Sequence, residues 1–80
     1  MVKINNMGRR QRRRLRFTTT QGQNIKGQTT VTKSFGYDDV LKVVQTDHQT
    51  LRIGFRNDHD FTYRTPMAHV VVQELTDRLK

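Results

Sequence analysis

The sequence predicts an α+β domain in which an antiparallel meander of four to five strands is closed by one C-terminal helix. Apolar and polar residues alternate from Leu51 to Phe55, with the two-residue period of a half-buried strand. Phe61 and Tyr63 repeat the alternation after a polar turn, so the two segments predict a hairpin. Apolar residues recur at helical spacing after Pro66, so a helix can pack across that hairpin.

The C-terminal helix is predicted to begin at Thr65 and Pro66. A threonine side chain can cap the first free N–H groups of a helix, and proline is tolerated at the first helical position. The apolar positions of this helix form one stripe, and the opposite stripe is polar. The apolar stripe consists of Ala68, Val71, Val72, Leu75 and Leu79.

The first half of the chain supplies the remaining strands. Leucine, phenylalanine and threonine favour a strand at residues 15–20, and residues 21–24 have the composition of a turn. A second strand is predicted at residues 28–35 and a third at residues 40–45. A short helical turn at residues 38–41 is an alternative start for that third segment, because aspartates suit a helix N-terminus.

Composition limits the protein to one small domain. The chain has 80 residues, and its apolar content of 32% supports only a small core, which a partner protein or a second copy would complete. It contains no cysteine, which excludes disulfides, a thiolate nucleophile and cysteine-ligated zinc. No apolar run reaches the roughly 18 residues of a membrane span, and no secretory signal is recognisable. We expect an intracellular protein of the cytoplasm or nucleus, neither secreted nor transmembrane.

The positive charge is concentrated at one end of the chain. The net charge is +8, yet residues 1–16 hold seven lysines and arginines and no acid, while residues 17–80 hold eight basic and seven acidic residues. Dense like charges stay solvated unless a partner neutralises them. We therefore expect a flexible arginine-rich arm at residues 1–14 and a folded domain at residues 15–80 that survives removal of the arm.

The arginine run predicts an anionic partner. Each guanidinium carries a fixed charge and a planar fork that grips phosphate through two hydrogen bonds. Nucleic acid, RNA or DNA, is the favoured partner, and an anionic membrane or an acidic protein surface is the alternative. On the folded part, Gly54 between two exposed arginines would let a ligand approach. The candidate contacts are Arg9, Arg10, Arg12, Arg13, Arg14, Arg16, Lys26, Lys33, Arg52 and Arg56.

Two resemblances point to the same two classes of partner. The run from Gly8 to Arg14 resembles the arginine-rich RNA-binding motifs of viral regulatory proteins, which implies RNA binding. The second half of the chain presents an aromatic strand, a hairpin and a closing helix. These pieces are Phe35, Tyr37, Val40 and Val43, the segments TLRIGFR (50–56) and FTYRT (61–65), and the helix from Pro66.

This order of an aromatic strand, a hairpin and a closing helix resembles the C-terminal half of a pleckstrin-homology-like domain. The resemblance implies a barrel plugged by its helix and a module that docks on an anionic membrane or a cytoskeletal protein. A complete barrel of that family has more strands than this chain is predicted to form.

Other candidate sites are better explained as structural features. Most of the aromatic rings are expected in the core rather than as base-stacking platforms. The Asp58-His59-Asp60 cluster is expected to be a solvated turn, because three adjacent residues rarely converge on one metal ion. The only serine, Ser34, lies inside a predicted strand without a nucleophile motif. We therefore expect no catalytic residues, metal or cofactor.

Overall fold

The chain folds into eight strands and one α-helix over residues 1–5 and 7–80, which are the residues that a computed structural model describes. The strands form two antiparallel sheets, and the helix lies at the C-terminus. The elements are β1 (Val2–Ile4), β2 (Arg10–Arg12), β3 (Arg14–Phe17), β4 (Gln21–Lys26), β5 (Thr30–Gly36), a 3-10 turn (Tyr37–Asp39), β6 (Val40–Asp47), β7 (Thr50–Phe55), β8 (Phe61–Arg64) and α1 (Ala68–Leu79).

One extended segment joins the two sheets. The five-stranded sheet has the order β2-β1-β8-β7-β6, and the three-stranded sheet has the order β3-β4-β5. Strands β2 and β3 follow each other with only Arg13 between them, so residues 10–17 form an edge of both sheets. The Arg13 N–H still donates to the carbonyl oxygen of Met1 at 3.0 Å, which continues the pairing up to the point where the chain changes sheets.

The core is built around three phenylalanines that meet edge to face. The Phe35 and Phe55 ring centroids are 4.9 Å apart, and those of Phe55 and Phe61 are 4.7 Å apart. Edge-to-face pairs of this kind add about 0.5–1.5 kcal/mol to the stability that burial alone provides. Leu51 and Ile53 complete the buried face of the hairpin, as their alternation predicts. Phe35 comes from the three-stranded sheet, so the cluster holds the two sheets together.

Helix α1 packs on this core with the predicted stripe. Ala68 and Leu75 are fully buried, and Val71, Val72 and Leu79 are partly buried against the core. Ahead of the helix, the Thr65 hydroxyl accepts a hydrogen bond from the Met67 N–H at 3.2 Å. Within the described residues, no helix is both long and apolar enough to cross a membrane.

The predicted fold class is confirmed, and the strand count is higher than predicted. Strands β6 to β8 lie where the sequence predicts them, but the described residues form eight strands rather than four to five. The predicted helix start is wrong, because α1 begins at Ala68 and its N-cap, Met67, makes no side-chain capping hydrogen bond. The turn predicted at residues 21–24 is wrong, because β4 occupies Gln21–Lys26. Two residues that are poor strand formers have tertiary roles there: Gly22 lies under the Phe35 ring, and the Asn24 side chain is buried.

The structure also differs from the flexible arm expected at residues 1–14. Strand β1 pairs with β2 on one side and with β8 on the other, so most of the expected arm is part of the five-stranded sheet. The turn between them uses Gly8, whose φ of 82° favours glycine, and the Asn5 side chain accepts the Arg9 N–H at 2.9 Å. Removal of residues 1–14 would delete β1 and β2 and leave β8 unpaired along one edge, so the fold is not expected to survive it.

We predict that Gly22→Ala destabilises the protein by about 1–3 kcal/mol, the usual cost of overpacking a core. A Cβ at this position would lie inside 3.0 Å of three atoms of the Phe35 ring, which is fixed in the aromatic cluster. Gly36→Ala is the matched control, because its Cβ would meet only Asp39 Oδ2, at 3.6 Å. Urea unfolding checks the pair, and equal losses at both positions would contradict the packing.

We predict that Leu75→Ala lowers the free energy of unfolding by about 2–5 kcal/mol, as expected for truncation of a buried leucine. Gln73→Ala on the exposed stripe should change it by no more than about 0.5 kcal/mol. Thermal melts of the two variants test the orientation of α1. Similar losses in both variants would show that the apolar stripe is not the face of α1 that packs against the core.

Candidate functional site

Four arginines form an exposed row along the segment that the two sheets share. Residues 10–17 alternate: the even positions are exposed, and the odd positions are partly buried. Every even position is an arginine, and we call Arg10, Arg12, Arg14 and Arg16 the arginine row. Because an extended strand advances roughly 6.6–6.8 Å per two residues, the row is about 20 Å long.

Strand pairing fixes the position of each member of the row. On the five-stranded sheet Arg10 and Arg12 lie opposite residues of β1, and on the three-stranded sheet Arg14 and Arg16 lie opposite residues of β4. Arg14 Nη2 donates to the Gln28 carbonyl oxygen at 2.7 Å. Within the described residues, the Arg10 and Arg12 side chains make no hydrogen bond or ion pair. Two members of the row therefore keep all their donors for a ligand.

A further cation, Arg64, lies beside the row across the five-stranded sheet. Val2 pairs with Arg12 on one side and with Arg64 on the other, so the three side chains share the outer face of the sheet. Neighbouring strands are about 4.7–4.9 Å apart, so the Cα atoms of Arg12 and Arg64 are separated by roughly 10 Å. Among the described residues, no carboxylate lies within 4.0 Å of Arg64. Arg64 is not among the contacts predicted from the sequence, because only the strand register places it next to the row.

Arg52, which the sequence analysis did predict, lies on the same outer face. It pairs with Thr62 on β8. Thr62 pairs in turn with Ile4, and Ile4 pairs with Arg10. Three strand spacings therefore separate Arg52 from Arg10, which is about 14 Å. We call Arg52 and Arg64 the second line. Asp60 lies 4.0 Å from Arg52, at the limit of an ion pair, and the Arg52 side chain remains 54% exposed.

The other predicted contacts are not assembled into this surface. Lys33 forms an ion pair with Asp58, which occupies its charge. The Arg56 side chain donates to the Asp38 carbonyl oxygen at 3.0 Å, beyond the end of β7. Lys26 lies at the far end of β4, and Arg9 lies in the turn before β2.

The predicted opening at Gly54 is filled. Gly54 is buried, and a Cβ there would meet Lys42 Cγ at 3.1 Å and Lys42 Cε at 3.3 Å. The stem of Lys42, which pairs with Gly54 on β6, therefore covers the bare backbone. The glycine accommodates a neighbouring side chain, and the idea that it admits a ligand is wrong for this conformation.

Arg13 points away from the row, toward the interior. Its position in the alternation puts it on the side of Lys3, and both line an open cavity of about 330 Å³. Lys3 Nζ lies 4.4 Å from the centroid of the Phe61 ring, which gives it a cation–π contact. Burial lowers the pKa of Lys3, and the nearby charges of Arg13 and Lys33 lower it further. Arg13 is thus separate from the four exposed arginines.

Two buried hydrogen bonds hold β4, the strand that pairs with β3 of the shared segment. The Tyr63 hydroxyl donates to Asn24 Oδ1 at 2.9 Å, and Asn24 Nδ2 donates to Thr32 Oγ1 at 2.7 Å. Tyr63 belongs to the five-stranded sheet and Asn24 to the three-stranded sheet, so this hydrogen bond joins the two sheets. Burial raises the pKa of the Tyr63 hydroxyl well above its usual range, so it remains a donor at ordinary pH.

The aromatic rings are turned away from the exposed cations. The three clustered phenylalanines and Tyr63 are buried, which confirms their predicted place in the core. Phe17 is partly buried and lies 5.3 Å from the Arg78 guanidinium. The Tyr37 hydroxyl lies within hydrogen-bond distance of the carbonyl oxygens of Thr18 and Gln21. Each ring therefore has a role within the fold.

The acidic turn after β7 is tied to neighbouring cations. Asp58 pairs with Lys33, whose hydrogen bond lowers the pKa of the Asp58 carboxyl, and the His59 N–H lowers it further. Among the described residues, no three histidine, cysteine or acidic side chains are grouped as metal ligands would be. The turn therefore positions Lys33 and Arg52.

Comparison with protein-family models and with curated protein sequences finds no match for this chain.

We predict that Tyr63→Phe lowers the free energy of unfolding by about 1–3 kcal/mol at neutral pH, because the buried Asn24 oxygen loses its donor. The variant should also be less sensitive to alkali. The folded-state pKa of Tyr63 is raised above the unfolded value of about 10, so its contribution is fully present below the unfolded pKa and is lost as the pH rises from there toward the folded-state pKa. Urea unfolding at neutral pH and at alkaline pH measures both effects. An equal alkaline loss in wild type and variant would contradict the buried hydrogen bond.

Proposed function

We propose that this domain is a non-enzymatic nucleic-acid-binding protein that grips the phosphate backbone of RNA or DNA with its arginine row. The supporting observation is the alternation of residues 10–17, which directs four arginines to solvent and their neighbours to the interior. The small α+β domain acts as the platform for the row. An intracellular location, in the cytoplasm or nucleus, belongs to the same proposal.

Arginine chemistry favours phosphate as the ligand. Each guanidinium offers a planar fork of donors that matches two phosphate oxygens, and it is desolvated more easily than an ammonium. Neutralising several phosphates releases their condensed counterions, which supplies most of the affinity of sequence-independent binding. Contacts of this kind position a protein on the backbone but do not read the bases. We therefore expect little sequence preference.

The strand makes the row a better ligand site than a free tail. A mobile arm loses conformational entropy when it binds, whereas paired strands have already lost it during folding. Register also sets a spacing of roughly 6.7 Å between neighbouring arginines of the row. Residues 17–80 are close to neutral, since they hold eight basic and seven acidic residues. The electrostatic attraction should therefore come mainly from residues 1–16, which contain the row.

We predict that Arg10→Gln combined with Arg12→Gln weakens binding to nucleic acid and reduces its salt dependence. Each lost phosphate contact lowers the log–log salt slope by about 0.7–0.9, so the pair should lower it by about 1.4–1.8. These two side chains make no hydrogen bond or ion pair in the described part of the chain, so the fold should tolerate the change. Fluorescence anisotropy with labelled DNA and RNA at several salt concentrations measures the slope.

Two control variants separate position from charge. Arg10→Lys with Arg12→Lys keeps the charge and should retain most of the slope while losing the two-pronged geometry. Lys80→Gln removes a charge from the end of α1, where the side chain is 74% exposed, and should leave the slope unchanged. Wild-type binding to anionic vesicles but to neither DNA nor RNA would overturn the proposal in favour of a membrane-docking module.

A further inference from the structure

The exposed arginines form two separate lines. The arginine row runs along the shared segment, and the second line lies across the sheet from it, on β7 and β8. A single flexible strand of nucleic acid follows one line of contacts. Two separated lines of cations are matched by a ligand that carries two separated lines of phosphates.

The separation of the two lines agrees with the width of a groove. Strand spacing puts the Cα atom of Arg64 roughly 10 Å from that of Arg12. It puts the Cα atom of Arg52 about 14 Å from that of Arg10. The major groove of B-form DNA is about 12 Å wide, with a phosphate backbone on each side. Side chains between the two lines are small or partly buried, namely Val2, Ile4 and Thr62, so nothing large stands between the cations.

The location of the aromatic rings argues in the same direction. Proteins that hold single strands combine a basic groove with rings on which bases stack, and stacking contributes about 1–3 kcal/mol per base. Here four rings are buried, Phe17 lies against Arg78 and Tyr37 is tied to backbone carbonyls. A single strand would therefore gain only phosphate contacts and would lose conformational entropy when it becomes ordered. The phosphates of a duplex are already ordered.

We propose that the outer face of the five-stranded sheet binds double-helical DNA across its major groove, with Arg10 and Arg12 of the arginine row on one phosphate backbone and Arg52 and Arg64 on the other. This inference rests on the proposed function and specifies its ligand. Arg64 is the sharper of the two probes, since in the described part of the chain it has no carboxylate within 4.0 Å, whereas Arg52 has Asp60.

Anisotropy titrations of Arg64→Gln test the inference with three probes: a mixed-sequence DNA duplex, an RNA duplex and a thymidine single strand. Loss of one duplex contact should reduce the salt slope on DNA duplex by about 0.9 and leave the single-strand slope unchanged. The Arg10 and Arg12 variant should reduce the slope on both probes. Arg64→Lys should keep the duplex slope, and Lys80→Gln should change neither. Wild type should bind the DNA duplex more tightly than either of the other probes.

The outcomes distinguish this inference from the proposed function. If Arg64→Gln lowers the slope equally on duplex and single strand, or on neither, the two-backbone arrangement is wrong, although the row can still bind phosphate. RNA duplex that binds as tightly as DNA with the same Arg64 dependence would overturn the choice of the B-form groove. If the Arg10 and Arg12 variant is also without effect, the proposed function fails together with the inference.

Discussion

The structure depends on one extended segment that serves both sheets. Residues 10–17 pair with β1 in the first sheet and with β4 in the second, and strand geometry sends alternate side chains to opposite sides. Leu15 and Phe17 consequently pack against the core, while the even-numbered arginines face solvent. The same alternation that connects the sheets therefore creates the basic surface. A one-residue slip would bury arginines and expose the apolar pair.

Two buried contacts hold that segment in place. The Tyr63 hydroxyl reaches across to Asn24, and the Phe35 ring lies directly over Gly22, so both contacts involve β4, the strand that pairs with β3. Every buried side-chain polar atom among the described residues has a hydrogen-bond partner. In a domain this small, where net stability is only a few kcal/mol, the position of the arginines is set by a handful of such contacts.

The sequence predicts the second half of this fold well, because apolar periodicity is strong from β7 to α1. The first half is harder, since Gly22 and Asn24 are poor strand formers whose place is decided by tertiary contacts. Residues 10–17 show a two-residue period. Without knowledge of the strand pairing, however, their density of arginine favours a disordered arm. The role of Arg64 depends on its pairing with Val2, a long-range register that local sequence does not contain.

The most direct test is an NMR titration of the arginine Nε–H signals with a short DNA duplex at low salt. If the strand presents the row as described, the signals of Arg10, Arg12, Arg14 and Arg16 shift, whereas Arg13 on the inner side does not. Amides of the segment should also be protected from exchange in the free protein, because they are paired. Equal shifts at all of these arginines, including Arg13, together with unprotected amides, would show a mobile arm and contradict the account.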